Sequence, residues 1–117
     1  MGDIELEFES KEFRPNVEFT GRVTVNFPGR YDGIVINSQI LDSNELITYK
    51  AYNGKKISHN VARLFVSRDA MPENRAEFTS VLEFIPHEDK EIKFRASIIE
   101  QHKEVESAVV FGRLLAP

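Results

Sequence analysis

Alternation of apolar and polar residues governs this chain. Asp3 to Glu9 reads Asp-Ile-Glu-Leu-Glu-Phe-Glu, with Ile4, Leu6 and Phe8 on one face and acids on the other. Side chains of a strand point to opposite faces in turn, so this pattern marks a half-buried β-strand. Phe19, Gly21, Val23, Val25 and Phe27 repeat it, with Thr20, Arg22, Thr24 and Asn26 outward, until Pro28-Gly29 stops the run. Ala76, Phe78, Ser80, Leu82 and Phe84 form another such face, as do Ile92, Phe94, Ala96 and Ile98. Gly33 to Leu41 is richer in Ile and Val and reads as a strand buried on both sides. Leu46 to Tyr52 alternates again and meets Asn53-Gly54. That dipeptide suits a type I′ turn, which needs positive φ at both central residues, so Lys55 onward returns antiparallel. Ala62 to Ser67 and Val105 to Leu115 are two further apolar runs. The spacing gives about seven to nine strands, the rhythm of an antiparallel β-sandwich. Two stretches carry a helical alternative: His59 to Phe65, with Val61, Leu64 and Phe65 at helical spacing, and the charged Ile98 to Val105.

The chain has 117 residues, enough for one domain spanning 1–117 and one core. No cysteine is present, which excludes disulfides, thiolate metal sites and a cysteine nucleophile. A net charge of −4 argues against duplex nucleic acid or an anionic membrane as the main partner. No stretch approaches the apolar length of a membrane helix, so no membrane insertion is expected. The start, Met1-Gly2-Asp3, lacks the basic and apolar regions of a signal peptide, and a cytoplasmic location is expected.

The residues offer little chemistry. His59, His87 and His102 share no ligand spacing, and His87-Glu88-Asp89 lies in a turn after Pro86. Asp42-Ser43-Asn44-Glu45 could offer oxygen ligands to calcium, but lacks the spaced acids and central glycine of a calcium loop and reads as a β-turn. No nucleophile elbow, phosphate loop or dinucleotide fingerprint is present. Gly29 and Gly33 read as turn glycines. Phe94 between Lys93 and Arg95 hints at a base-stacking platform, yet its register with Ile92 and Ala96 points it to the core. The expectation is no catalytic residue, no cofactor, no metal and no enzyme.

From Phe13 the residues Phe-Arg-Pro-Asn-Val-Glu-Phe-Thr-Gly-Arg-Val resemble the early strand of arrestin-like domains. There an aromatic residue, a Pro-Gly turn, a Val and then Gly-x-Val recur. Asn16 replaces the usual glycine and, like it, adopts positive φ. Gly21 fits a bulge or a close backbone approach. Gly33-Ile34-Val35-Ile36 and Phe84-Ile85-Pro86 are further echoes. The resemblance implies one arrestin-like β-sandwich lobe, a scaffold that binds a protein partner without catalysis. An immunoglobulin-like structural or adhesion module, or a sandwich that binds calcium or another ligand, is the alternative.

The partner contact expected from the residues is the segment Arg68 to Arg75, the longest polar interruption between apolar runs. Arg68 and Arg75 flank Met71, and arginine and methionine are enriched at interface cores. Arg30 and Tyr31, after Phe27, are expected beside them. An edge strand that recruits a partner segment by main-chain pairing is the other route.

Overall fold

The computed structural model describes residues 2–44, 47–61 and 63–117, with backbone alone for 58–61. Ten strands form two five-stranded sheets packed face to face. They are β1 (Ile4–Phe8), β2 (Glu12–Phe13), β3 (Phe19–Val25), β4 (Gly33–Ile40), β5 (Thr48–Tyr52), β6 (Lys55–Val61), β7 (Arg63–Ser67), β8 (Arg75–Val81), β9 (Lys90–Glu100) and β10 (Lys103–Leu114). One sheet runs β1-β3-β8-β5-β6 and the other β2-β10-β9-β4-β7. Every pairing is antiparallel except that of β2 with β10.

The period-two faces meet between the sheets. Ile4, Leu6, Val23, Val25, Ala76 and Phe78 from the first sheet, with Leu82 just beyond β8, bury against Ile92, Phe94, Ala96 and Ile98 of the second. Arg22 stays outside, 3.4 Å from Glu77 on β8. Phe8, Phe13, Phe19 and Phe94 form an aromatic centre, with Phe8–Phe94 centroids 4.6 Å apart and Phe13–Phe19 also 4.6 Å. Gly21 and Gly112 are glycines because rings fill the space a Cβ would take. It would lie 2.4 Å from Phe78 at Gly21, and 2.4 Å from Phe13 at Gly112. The close approach expected at Gly21 is therefore made by side chains.

The Asn53-Gly54 turn joins β5 to β6 with φ of 46° and 80°, as expected. Asn16 adopts φ 61° in the Arg14–Val17 turn. Both helical alternatives are overturned. The described backbone of 59–65 is strand, and Ile98 to Val105 is the end of β9, a tight turn and the start of β10. That turn, Gln101-His102, has positive φ at both residues (49° and 66°) with neither a glycine nor an asparagine. Gly33 opens a strand instead of a turn, since a Cβ there would stand 2.4 Å from the Val66 carbonyl oxygen. β4 is buried on both sides only from Gly33 to Ile36, and Gln39 is exposed. β8 ends at Val81, short of Phe84. The Arg68–Arg75 segment is folded as two single 3-10 turns, Arg68–Ala70 and Pro72–Asn74. Leu46, Glu45 and Ala62, and the side chains of His59 and Val61, on which parts of the strand, calcium-turn and helix readings fell, lie outside the described residues.

Candidate interaction surfaces

The loop between β3 and β4, the Asn53-Gly54 turn, the 3-10 turns and the β9–β10 turn meet at one end of the sandwich. Asp32 ties three of them. Its N–H donates to the Ile99 carbonyl (2.8 Å), its carbonyl accepts from Arg68 N–H (2.9 Å), and its Oδ2 accepts from Gln101 N–H (2.8 Å). Asn53 ties the rest, with Nδ2 donating to the Ala70 carbonyl (2.7 Å) and Oδ1 accepting from Glu77 N–H (2.8 Å).

This end brings together the residues expected to meet a partner, with a different division of labour. Tyr31 is only 3% exposed and Met71 only 5%, so the expectation that both contact a partner is corrected. The Tyr31 hydroxyl donates to Asn74 Oδ1 at 2.6 Å, and the Arg68 guanidinium lies 4.6 Å from the Tyr31 ring centroid. Burial raises the Tyr31 pKa and the neighbouring Arg68 charge opposes that rise. Met71 joins the main core, because the turns on either side fold it inward. Arg30, Arg68 and Arg75 are exposed, and Arg75 sits 3.8 Å from Glu73. The segment is therefore an anchored cap with Arg68 and Arg75 on its outside, and Arg30 is exposed on the loop between β3 and β4.

The residues alone named an edge strand as the other route to a partner but did not single out which one, and the edge of β10 is a second candidate surface. β10 pairs with β9 along its length, but on its other flank β2 covers only Arg113 and Leu114. Arg113 N–H donates to the Lys11 carbonyl (2.7 Å) and Leu115 N–H to the Phe13 carbonyl (2.8 Å). Main-chain groups along a strand turn to the same side at every second residue. The N–H and C=O of Ser107, Val109 and Phe111 therefore point to that same flank, where no ladder partner stands among the described residues. β1 of the other sheet runs alongside without pairing. On the outer face Val109 is 41% exposed and Phe111 51%. Ala108 and Val110 turn inward and lean on the core. The Val105 to Leu115 run thus has apolar side chains on both faces, and only Leu114 is fully buried.

Next to this edge sits a polar clamp on the outer face of β9. Glu104 accepts hydrogen bonds from Arg95 Nε (3.2 Å), from Arg95 NH2 and from the buried Ser97 hydroxyl (2.6 Å). The Arg95 and Ser97 bonds hold the Glu104 carboxyl below the usual carboxylate range. A bulge at Val105 follows it, where the register shifts between Glu104 and Glu106.

Among the described residues no three His, Asp or Glu side chains gather as metal ligands. No described helix is long and apolar enough to cross a membrane.

No family model and no curated protein matches the chain. Solved structures do. The Salmonella SafD adhesin has a TM-score of 0.54 at 12% identity, covering 98% of this chain and 99% of that one. The human F-spondin reeler domain has a TM-score of 0.56 at 8% identity, covering 99% and 89%. AvmM, which catalyses macrocyclization in alchivemycin A biosynthesis, has a TM-score of 0.57 at 13% identity, covering 98% and 90%. The chain is an antiparallel β-sandwich of the immunoglobulin-like kind. At such identities the likeness is one of fold, and an adhesin and a catalyst share it.

Proposed function

We propose that the chain is a non-catalytic protein-interaction module, similar to one arrestin lobe and acting in the cytoplasm, that recruits an extended partner segment on the open edge of β10. One observation carries the reading: outward main-chain groups at Ser107, Val109 and Phe111 stand beside exposed Val109 and Phe111 with no charge between Ser107 and Gly112. Main-chain pairing supplies affinity and alternate side chains supply selectivity in such recognition. The arrestin resemblance draws support from the Arg14–Val17 turn, where Asn16 takes the positive φ that the family gives to glycine. A structural or adhesion module is the second reading, favoured by the fold shared with the SafD adhesin.

Capture from an extract of the source organism tests the proposal. Val109→Pro deletes one outward N–H and leaves every bond to β9, so folding survives as it does for proline on other edge strands. Bound proteins should fall about tenfold, equivalent to roughly 1.4 kcal/mol, with the melting temperature held. A triple Arg30, Arg68 and Arg75 to Ala variant is the comparison. Capture lost with that variant and kept with Val109→Pro would move the site to the loop end.

A further inference from the structure

Asn53 is the one asparagine of the chain that is followed by glycine. That dipeptide is the least hindered setting for an intramolecular reaction. The glycine nitrogen, with no side chain beside it, can attack the asparagine side-chain carbon Cγ. Here Gly54 is exposed at the tip of the β5–β6 turn, with φ 80°, and a Cβ placed on it would meet nothing within 4 Å. The attacking nitrogen is therefore unscreened.

The group it would attack is held. Asn53 N–H donates to the Glu77 carbonyl (2.8 Å), Oδ1 accepts from Glu77 N–H (2.8 Å), and Nδ2 donates to the Ala70 carbonyl (2.7 Å). The first two bonds carry the pairing of β5 with β8 past Tyr52 and Phe78, with the side-chain oxygen standing in for a main-chain one. The third reaches the first 3-10 turn. Ala70 offers an acceptor and Glu77 a donor, so the joint needs a side chain with one end of each kind, which an amide has and a carboxylate lacks.

We propose that Asn53 is a deamidation site gated by the 3-10 cap, and that its conversion unties the cap from the β5–β6 turn. When the Oδ1 and Nδ2 bonds open, the Gly54 nitrogen gives its proton to solvent hydroxide and bonds to Asn53 Cγ. The Cγ–Nδ2 bond breaks, and the amide nitrogen takes a proton from water and leaves as ammonia. Water then adds across either C–N bond of the cyclic imide, giving an aspartate or an isoaspartate at position 53. Neither product has a donor for Ala70. An aspartate sets a negative oxygen against that carbonyl, while its bond from Glu77 N–H survives. The β8 side of the joint is kept and the cap side is lost. Asp32 still holds Arg68 N–H and Tyr31 still holds Asn74, so the segment released is the one between them, around Ala70 and Met71.

The test uses the full chain. Incubation in mildly alkaline buffer, read by peptide mass spectrometry, follows the exchange of amide for acid at Asn53. The folded chain should convert at least about tenfold more slowly than the chain in urea, which corresponds to roughly 1.4 kcal/mol or more for opening the joint. Gly54→Asp keeps a residue that tolerates positive φ and puts a side chain beside the attacking nitrogen, so it should slow conversion in both states. Asn53→Asp should speed amide exchange at Met71 about tenfold and leave Glu77 slow. Where that variant does not fold, the wild-type chain converted in place and separated by its added charge gives the same reading. Equal rates in the folded and urea-unfolded chain overturn the gating, and no conversion in urea overturns the site. Unchanged exchange at Met71 after conversion overturns the untying of the cap.

Discussion

Met71 and Tyr31 sit in the loop-rich end of the sandwich and yet are built into its core. Met71 is 5% exposed, flanked by 3-10 turns whose Met71 N–H to Arg68 and Asn74 N–H to Met71 bonds measure 3.0 and 3.1 Å. Met71→Ala should therefore cost about 2–5 kcal/mol, the range for truncating a buried methionine. Urea unfolding checks this, and a cost under about 0.5 kcal/mol, typical of an exposed position, would return Met71 to the surface. Tyr49 makes a second residue-scale case. It is wholly buried, its hydroxyl donates to Ser38 Oγ at 3.1 Å, and burial pushes its pKa up from 10.0 to about 12 against the smaller opposing effect of that bond. A raised phenol pKa means that the unfolded chain loses the proton first. Stability from this group is thus complete below pH 10 and is lost as pH rises toward 12. The slope should be about −1.4 kcal/mol per pH unit across that window. Alkaline unfolding of Tyr49→Phe should lack this component, after allowance for about 1 kcal/mol from the lost hydrogen bond. Equal alkaline slopes in the two proteins would show that Tyr49 ionises freely.

At the scale of single strands, β10 holds two kinds of amide. Ala108, Val110 and Gly112 pair with Ala96, Phe94 and Ile92 and point toward β9, whereas Ser107, Val109 and Phe111 point away. Amide exchange in dilute monomer should therefore alternate, slow at Ala108 and Val110 and fast at Val109 and Phe111. On pairing, the fast set should slow toward the other. Uniform protection in the dilute monomer would mean that something within the chain already covers the edge. Elements like β3 were legible in the sequence because their faces differ: Val23 and Val25 are apolar, Arg22 and Thr24 are not, and period two assigns them without ambiguity. β10 was not, because Val109 and Val110 are both apolar and the run does not say which faces the core. The Gln101-His102 turn escaped notice for a related reason. No glycine or asparagine marks it, and Asp32, 69 residues away, holds its Gln101 N–H. The same distance hid the candidate site, since Tyr31 is buried by its approach to Asn74 and Arg68, which no local pattern reveals.

For the molecule as a whole, the sandwich is sewn together by distant pairings. Among the described residues, only β5–β6 and β9–β10 join paired neighbours through tight turns. β1 pairs β3 through Ile4 and Val25, β3 pairs β8 through Phe19 and Ser80, and β4 pairs β9 through Gly33 and Ile99. β2 closes the second sheet by setting Glu12 beside Arg113, nearly the full length of the chain apart. Each such pairing requires a long loop to close before its contacts can stabilise it, and chains dominated by them fold slowly. The aromatic centre has the same character, because Phe8 and Phe13 reach Phe94 across more than eighty positions. Refolding of the dilute chain from urea should accordingly take milliseconds to seconds, the range for non-local sandwiches and barrels. The two hairpins can form earlier, so Asn53→Ala should slow folding only if the β5–β6 turn belongs to the nucleus. Stopped-flow fluorescence of the three tyrosines reads the rate directly. Refolding on the scale of about 10 µs, as in local helical bundles, would contradict this account of how the two sheets come together.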